Sequence, residues 1–137
     1  MSASFALQRA VYELLVASPE VGAIVGDRIY DGPPTGAAFP YVSFGPSDAS
    51  SDDVECITAT VEALQVDCWT REGNRLGPCR KLVGAVKAAI HGAAPDLGDY
   101  AALRLDVTST RAFMDEDGLT AHGVAVVEAT VEEPAHS

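Results

Sequence analysis

Much of what a small enzyme or metalloprotein needs is missing from these 137 residues. The three cysteines, Cys56, Cys68 and Cys79, are odd in number and widely spaced, without a Cys-x-x-Cys pair or a Cys/His cluster. That excludes a zinc motif or a disulfide framework and leaves buried free thiols as the expectation. His91, His122 and His136 are dispersed, so a Cys–His nucleophile has no local support and the histidines read as structural or exposed. His122, beside a predicted hairpin, is placed to bond its turn. No Gly-Lys-Ser/Thr follows Gly22, Gly26 or Gly32, so no phosphate loop is present. The run Asp115-Glu116-Asp117-Gly118 suggests calcium, but a loop counted from Asp115 puts Thr120 and Val126 where an EF-hand needs Gly and Glu. No catalytic residue, metal or cofactor is expected.

Basic residues are scarce too, at 9 against 20 acidic, for a net charge of −11. Tight binding to a phosphate backbone relies on clustered Lys and Arg, so a nucleic-acid ligand is not indicated. Apolar runs are too short to cross a bilayer, and Met-Ser-Ala-Ser lacks the basic and apolar parts of a signal peptide. Assembly in the cytoplasm and no membrane association are expected.

An apolar content of 47% with 21% charged residues suits one folded domain, assigned to residues 1–132 with a frayed tail over 133–137. The few cations are concentrated. Arg71, Arg75, Arg80, Lys81 and Lys87, offset only by Glu72, give the 71–87 window a charge of +4 and leave −15 for the rest. A monomer polarised in this way can pair head to tail with its own copies.

Leu7, Ala10, Val11, Leu14 and Leu15 predict a helix over about 4–17. Ser18-Pro19-Glu20 supplies an N-cap, a first-turn proline and an acid for a second, short helix that Gly26 ends. A stiff proline-rich link leads to a strand over 41–44, closed by Gly45-Pro46. The polar, acidic stretch 47–55 then reads as a loop that orders on docking. A long strand follows over about 57–70, with Leu64, Val66 and Cys68 on one face and Gln65, Asp67 and Trp69 on the other. Trp69 at a polar-side position requires a cover, from its own proline-rich link or from an adjacent subunit. Leu76, Cys79, Leu82, Val83, Val86 and Ile90 mark a third helix. Two strands close the chain, one alternating over 103–108 and one over 127–132, with Asp117-Gly118 as a hairpin signal between them. The order α-α-β-β-α-β-β predicts an α+β domain: an antiparallel sheet of about four strands with its helices on one face.

Three segments together resemble a known family. They are Gly26-Asp27-Arg28-Ile29-Tyr30-Asp31-Gly32 running through Pro33-Pro34 to Phe39-Pro40-Tyr41-Val42, then Leu64-Gln65-Val66-Asp67-Cys68-Trp69-Thr70-Arg71-Glu72-Gly73, then Asp115-Glu116-Asp117-Gly118-Leu119-Thr120-Ala121-His122-Gly123-Val124. In this order they are similar to the tail-completion, or tail-terminator, proteins of long-tailed phages and gene transfer agents. The resemblance implies a virion protein that forms a six-fold ring, caps the head-proximal end of the tail tube and joins it to a head-completion protein.

Helical geometry at 100° per residue aligns Arg80, Lys87 and His91 on one flank of the third helix, with Gly84 beside them. Under the family reading Arg80 and Lys87 become subunit contacts, with Trp69 and the strand acids Asp67 and Asp106 as counterparts. Asp48, Asp52, Asp53 and Glu55 form the loop that docks the tube or head-completion protein. The acidic balance predicts a bore through which DNA passes without specific binding. The competing reading is a small cytoplasmic α+β ligand-binding module or enzyme, which needs a concave pocket with convergent polar groups.

Overall fold

The structure, a computed structural model, describes residues 2–51, 59–98, 100–102 and 104–132. Ser2 begins α1 (Ala3–Ala17), its hydroxyl accepting the Phe5 amide at 3.1 Å. The helical stripe Ala6, Leu7, Ala10, Val11 and Leu15 is buried, while Phe5, Tyr12 and Val16 face outward. Ser18 serves two helices. Its amide donates to the Leu15 carbonyl, and its hydroxyl accepts the Val21 amide at 3.2 Å to cap α2 (Pro19–Val25). Gly26 closes α2 at φ 62°, a conformation that costs glycine little.

The sheet contains the four expected strands and two short additions. β1 (Ile29–Tyr30) lies parallel to β2 (Tyr41–Ser51), beyond a link that ends in a cis Phe39–Pro40 bond. β3 (Ala59–Thr70) pairs antiparallel with β2 and with β6 (Ala121–Glu132). Beyond β6 lie β4 (Ala101–Ala102) and β5 (Asp106–Met114), both antiparallel to it. The helix α3 (Gly77–Ile90) precedes β4 and buries Cys79, Leu82, Val83, Ala85, Val86 and Ile90. Together with α1 it covers one face of the sheet, where Val42, Leu64, Val66, Cys68, Ala125, Val127 and Val131 complete the core. The α+β class and the one-sided helix layer are as predicted. None of the described helices is long and apolar enough to cross a membrane.

Three strand assignments need correction, the simplest being β6, which begins at Ala121 and not near residue 127. β2 does not stop at Gly45-Pro46: a register shift between Phe44 and Ser47 absorbs those residues, and pairing with β3 resumes through Ser51. Proline cannot donate to a ladder, and a bulge removes that requirement locally. Asp48 therefore stands on an exposed strand, not in a loop. Asp52, Asp53, Glu55 and Cys56 lie outside the described residues, as does the tail 133–137. β5 is also displaced from the expected 103–108: it starts at Asp106 and continues to Met114, with a bulge between Val107 and Ser109.

Gly123 sets the distance between the two layers. A Cβ there would run into Val83, would lie 2.9 Å from the Cys79 sulfur and 3.2 Å from the Cys68 Cβ. Only hydrogen at this position lets α3 sit against β6 so closely.

Candidate functional site

The face of the sheet away from the helices carries a row of rings. Pairing aligns Tyr41, Trp69, His122 and Phe113 across β2, β3, β6 and β5. The Trp69 and His122 rings stack with centroids 3.9 Å apart and planes within 12°. Tyr41 stacks on Trp69 at 6.1 Å, and Phe113 tilts against His122 at 5.0 Å. Trp69 Nε1 donates to the Ser43 hydroxyl at 2.9 Å. Of the two covers considered for Trp69, the chain itself supplies this row, with Tyr41 and Phe39 bringing in the end of the proline-rich link, and leaves the ring half-buried.

Asp67 is not the exposed acid that strand alternation implied. Only 6% of it is accessible. Its Oδ1 lies 2.6 Å from His122 Nε2 and accepts from Gln65 Nε2 at 2.8 Å. Its Oδ2 occupies the space left by Gly45, where a Cβ would come within 2.5 Å of it. His122 accordingly contacts Asp67 and not the hairpin turn, a second correction. Glu62, which the sequence did not single out, is also buried and accepts from the Ser4 hydroxyl at 2.8 Å, tying the start of α1 to β3.

The acidic hairpin tip organises itself. Asp117 accepts the Leu119 and Thr120 amides at 2.9 and 2.8 Å and the Thr120 hydroxyl at 2.7 Å. Arg71 donates to the same hydroxyl at 2.8 Å and lies 3.6 Å from the Asp117 carboxylate. The Thr120 amide and hydroxyl, then the Leu119 amide, hold the Asp117 carboxyl at about 2, with Arg71 adding a smaller effect. A depressed native value means the turn's contribution is complete above the ordinary carboxylate range and is lost as pH falls through about 2. An NMR titration of Asp117 should show its midpoint near 2, and Thr120→Val should move it up toward the ordinary range. Among the described residues no group of three or more His, Cys, Asp or Glu could hold a metal ion.

A groove runs between α3 and β5, with a volume of about 310 Å³. Arg80, Val83, Gly84 and Lys87 line it from the helix, and Thr110, Arg111 and Ala112 from the strand. The structure therefore unites Arg80 and Lys87, as the helical spacing predicted, while Arg111 borders the groove from β5 with its guanidinium on the other face of the sheet. Pairing with Val124 puts Arg111 on the ring-bearing face, 5.0 Å over the Phe113 ring. A sequence signal existed in the alternation of Ser109, Arg111 and Phe113. His91 does not line the groove; its Nδ1 accepts the Val107 amide at 3.0 Å. Asp106 sits at the far end of β5, paired with Arg104 at 2.9 Å. Asp67 and Trp69 belong to the ring row, and Asp48 to the opposite edge of the sheet.

The chain offers surfaces: a groove flanked by Arg80 and Lys87, an exposed strand carrying Asp48, and a sheet face braced by its own ring and hydrogen-bond contacts. It belongs to the structural assembly class, and comparison with known proteins specifies which kind. Residues 9–132 match the family described as tail completion protein gp17, and the chain belongs to that family. Membership makes it a tail-completion protein and a virion component of a phage or phage-like particle. Among solved structures it is similar to a chain in the virion of a native gene transfer agent particle. That chain is 28% identical, with a TM-score of 0.87 over 96% of this chain and 98% of its own length. The gp17 protein of bacteriophage SPP1 shares the fold at 21% identity, with a TM-score of 0.62 over 98% of this chain and 94% of that one. No match is found among the curated proteins.

Proposed function

We propose that copies of this chain close into a six-membered ring that caps the head-proximal end of a tail tube, stops its growth and joins it to a head-completion protein. The observation that carries this reading is the near full-length likeness to a chain built into a gene transfer agent virion, together with family membership. The surfaces support it physically. Cations gather in the α3–β5 groove, whereas Asp48 lies at the opposite edge of the sheet, a polarity suited to a head-to-tail, ring-closing contact. Arg80, Lys87 and Asp106 line the subunit contact, and the ring row around Trp69 and Asp67 stiffens the sheet that presents them. Asp52, Asp53 and Glu55, following Asp48 in the chain, dock the tube or head-completion protein. The work is done by complementary shape and charge, with no bond made or broken in a substrate. At −11 per copy the ring has an acidic bore, so DNA passes through it without adhering.

Particles produced without this protein are expected to carry overlong tails or tails detached from heads, visible by negative-stain electron microscopy. Tails of normal length, attached to filled heads, in a deletion strain would overturn the proposal.

A further inference from the structure

Among the described residues the sheet has two open edges with complementary chemistry. On one side, among the described residues, β5 pairs only with β6, and its ladder is regular from Ser109 to Met114. On the other, β1 covers β2 only at Val42 and Ser43, so residues 47–51 pair, among the described residues, with β3 alone. An open strand edge presents a row of backbone donors and acceptors able to extend a second sheet.

The side chains beside these edges match as well. Ser47, Ala49 and Ser51 face the helix side of the sheet, being opposite Leu64, Glu62 and Thr60, and all three are small and exposed. On β5 the same side presents Thr110 and Ala112, opposite Ala125 and Gly123, next to the groove where Gly84 leaves open space. On the other face Asp48 is the acid and Arg111 the cation. None of Arg80, Lys87 and Arg111 makes an ion pair among the described residues.

We infer that residues 47–51 of one copy add as a strand to the β5 edge of the next copy, seating small side chains in the α3–β5 groove and Asp48 against Arg111. The occupant is a second copy of this chain because the chain itself carries small residues on one face, an acid on the other and a free edge together. The contact joins two different patches, so it repeats from copy to copy and can close a ring. The inference rests on the ring proposed above.

The test uses intact particles carrying the full-length protein with Ala49→Cys, Thr110→Cys and Cys56→Ser, treated with a short bismaleimide. Cys68 and Cys79 remain silent because burial shields both thiols and pushes up their pKa. A ladder of cross-linked multimers is expected from the double-cysteine particles and not from either single-cysteine control. Gly84→Glu, which puts bulk and negative charge into the groove, should abolish the ladder. Arg111→Asp should also abolish it, and adding Asp48→Arg should restore it. If the protein is present in particles and no ladder forms, or the Thr110→Cys control links to the tube protein, the edge contact is wrong and the ring must close through other surfaces. If particles of normal form lack the protein altogether, both readings fail. Circular dichroism of each purified variant separates lost contact from lost fold.

Discussion

Gly123→Val should leave the protein unable to hold its native structure, and Gly123→Ala should lose about 2–3 kcal/mol in urea unfolding. A methyl at this position enters space already filled by Val83 and reaches 2.9 Å from the Cys79 sulfur. Both are fully or nearly buried on α3, and Cys68 closes the third side from β3. None of the three is the free end of a long side chain, so relief requires moving the helix. Moving α3 would unseat Leu82, Val86 and Ile90, which form the middle of the core. Valine adds two more carbons to the same point, so a loss of about 4 kcal/mol or more is expected, a large share of the stability of a domain this size. Gly84→Ala is the control. It lies on the same helix with nothing within 4 Å, and removing a glycine from a helix interior should add about 1 kcal/mol. Equal stability of Gly123→Ala and the wild type would mean that α3 does not seat where the structure places it.

This contact shows where sequence reading reaches its limit. The elements governed by local chemistry were legible: Ser18-Pro19-Glu20 started α2, Gly26 ended it, and the apolar stripes of α1 and α3 chose the faces now buried. Arg80 and Lys87 were placed together by helical spacing alone. Features set by strand pairing were not legible. Gly45-Pro46 reads as a stop, and only β3 alongside shows that the strand continues beyond it. Alternation put Asp67 on an exposed face because the residues that cover it come from elsewhere: Gly45 across β2, and His122, 55 positions away, across β6. Arg111 was overlooked because its position, at the open edge beside Phe113, is set by pairing with β6. Gly123 was visible within a motif, but its physical reason is on α3, about forty positions earlier.

Asp67→Ala is the second substitution with a large expected effect, a loss of about 2–4 kcal/mol. The carboxylate is nearly buried and serves both His122 Nε2 and Gln65 Nε2 through the same oxygen. Removing it deprives two polar groups of their acceptor and opens a gap over Gly45, on a face that water reaches poorly at that point. Trp69, the only tryptophan, reports the change directly, because its ring lies 3.9 Å from the His122 imidazole. Its fluorescence should shift as His122 loses its anchor. Asp67→Asn retains size and one acceptor, so it should lose about 1 kcal/mol, less than alanine. Gly45→Ala offers an independent approach, since the added methyl would meet Oδ2 of the same carboxylate at 2.5 Å. If that oxygen is the main obstacle, Gly45→Ala costs much less in the Asp67→Ala background than alone. The double substitution should therefore be milder than the sum of the singles by about 1 kcal/mol or more. Strict additivity would show that Gly45 is required by Gln65, whose Cβ and Cγ lie 3.3 Å from the same point, and not by the aspartate. Either outcome assigns the glycine. A fully stable Asp67→Ala protein with unchanged Trp69 emission would instead remove the Asp67–His122 pair from any part in stiffening the sheet.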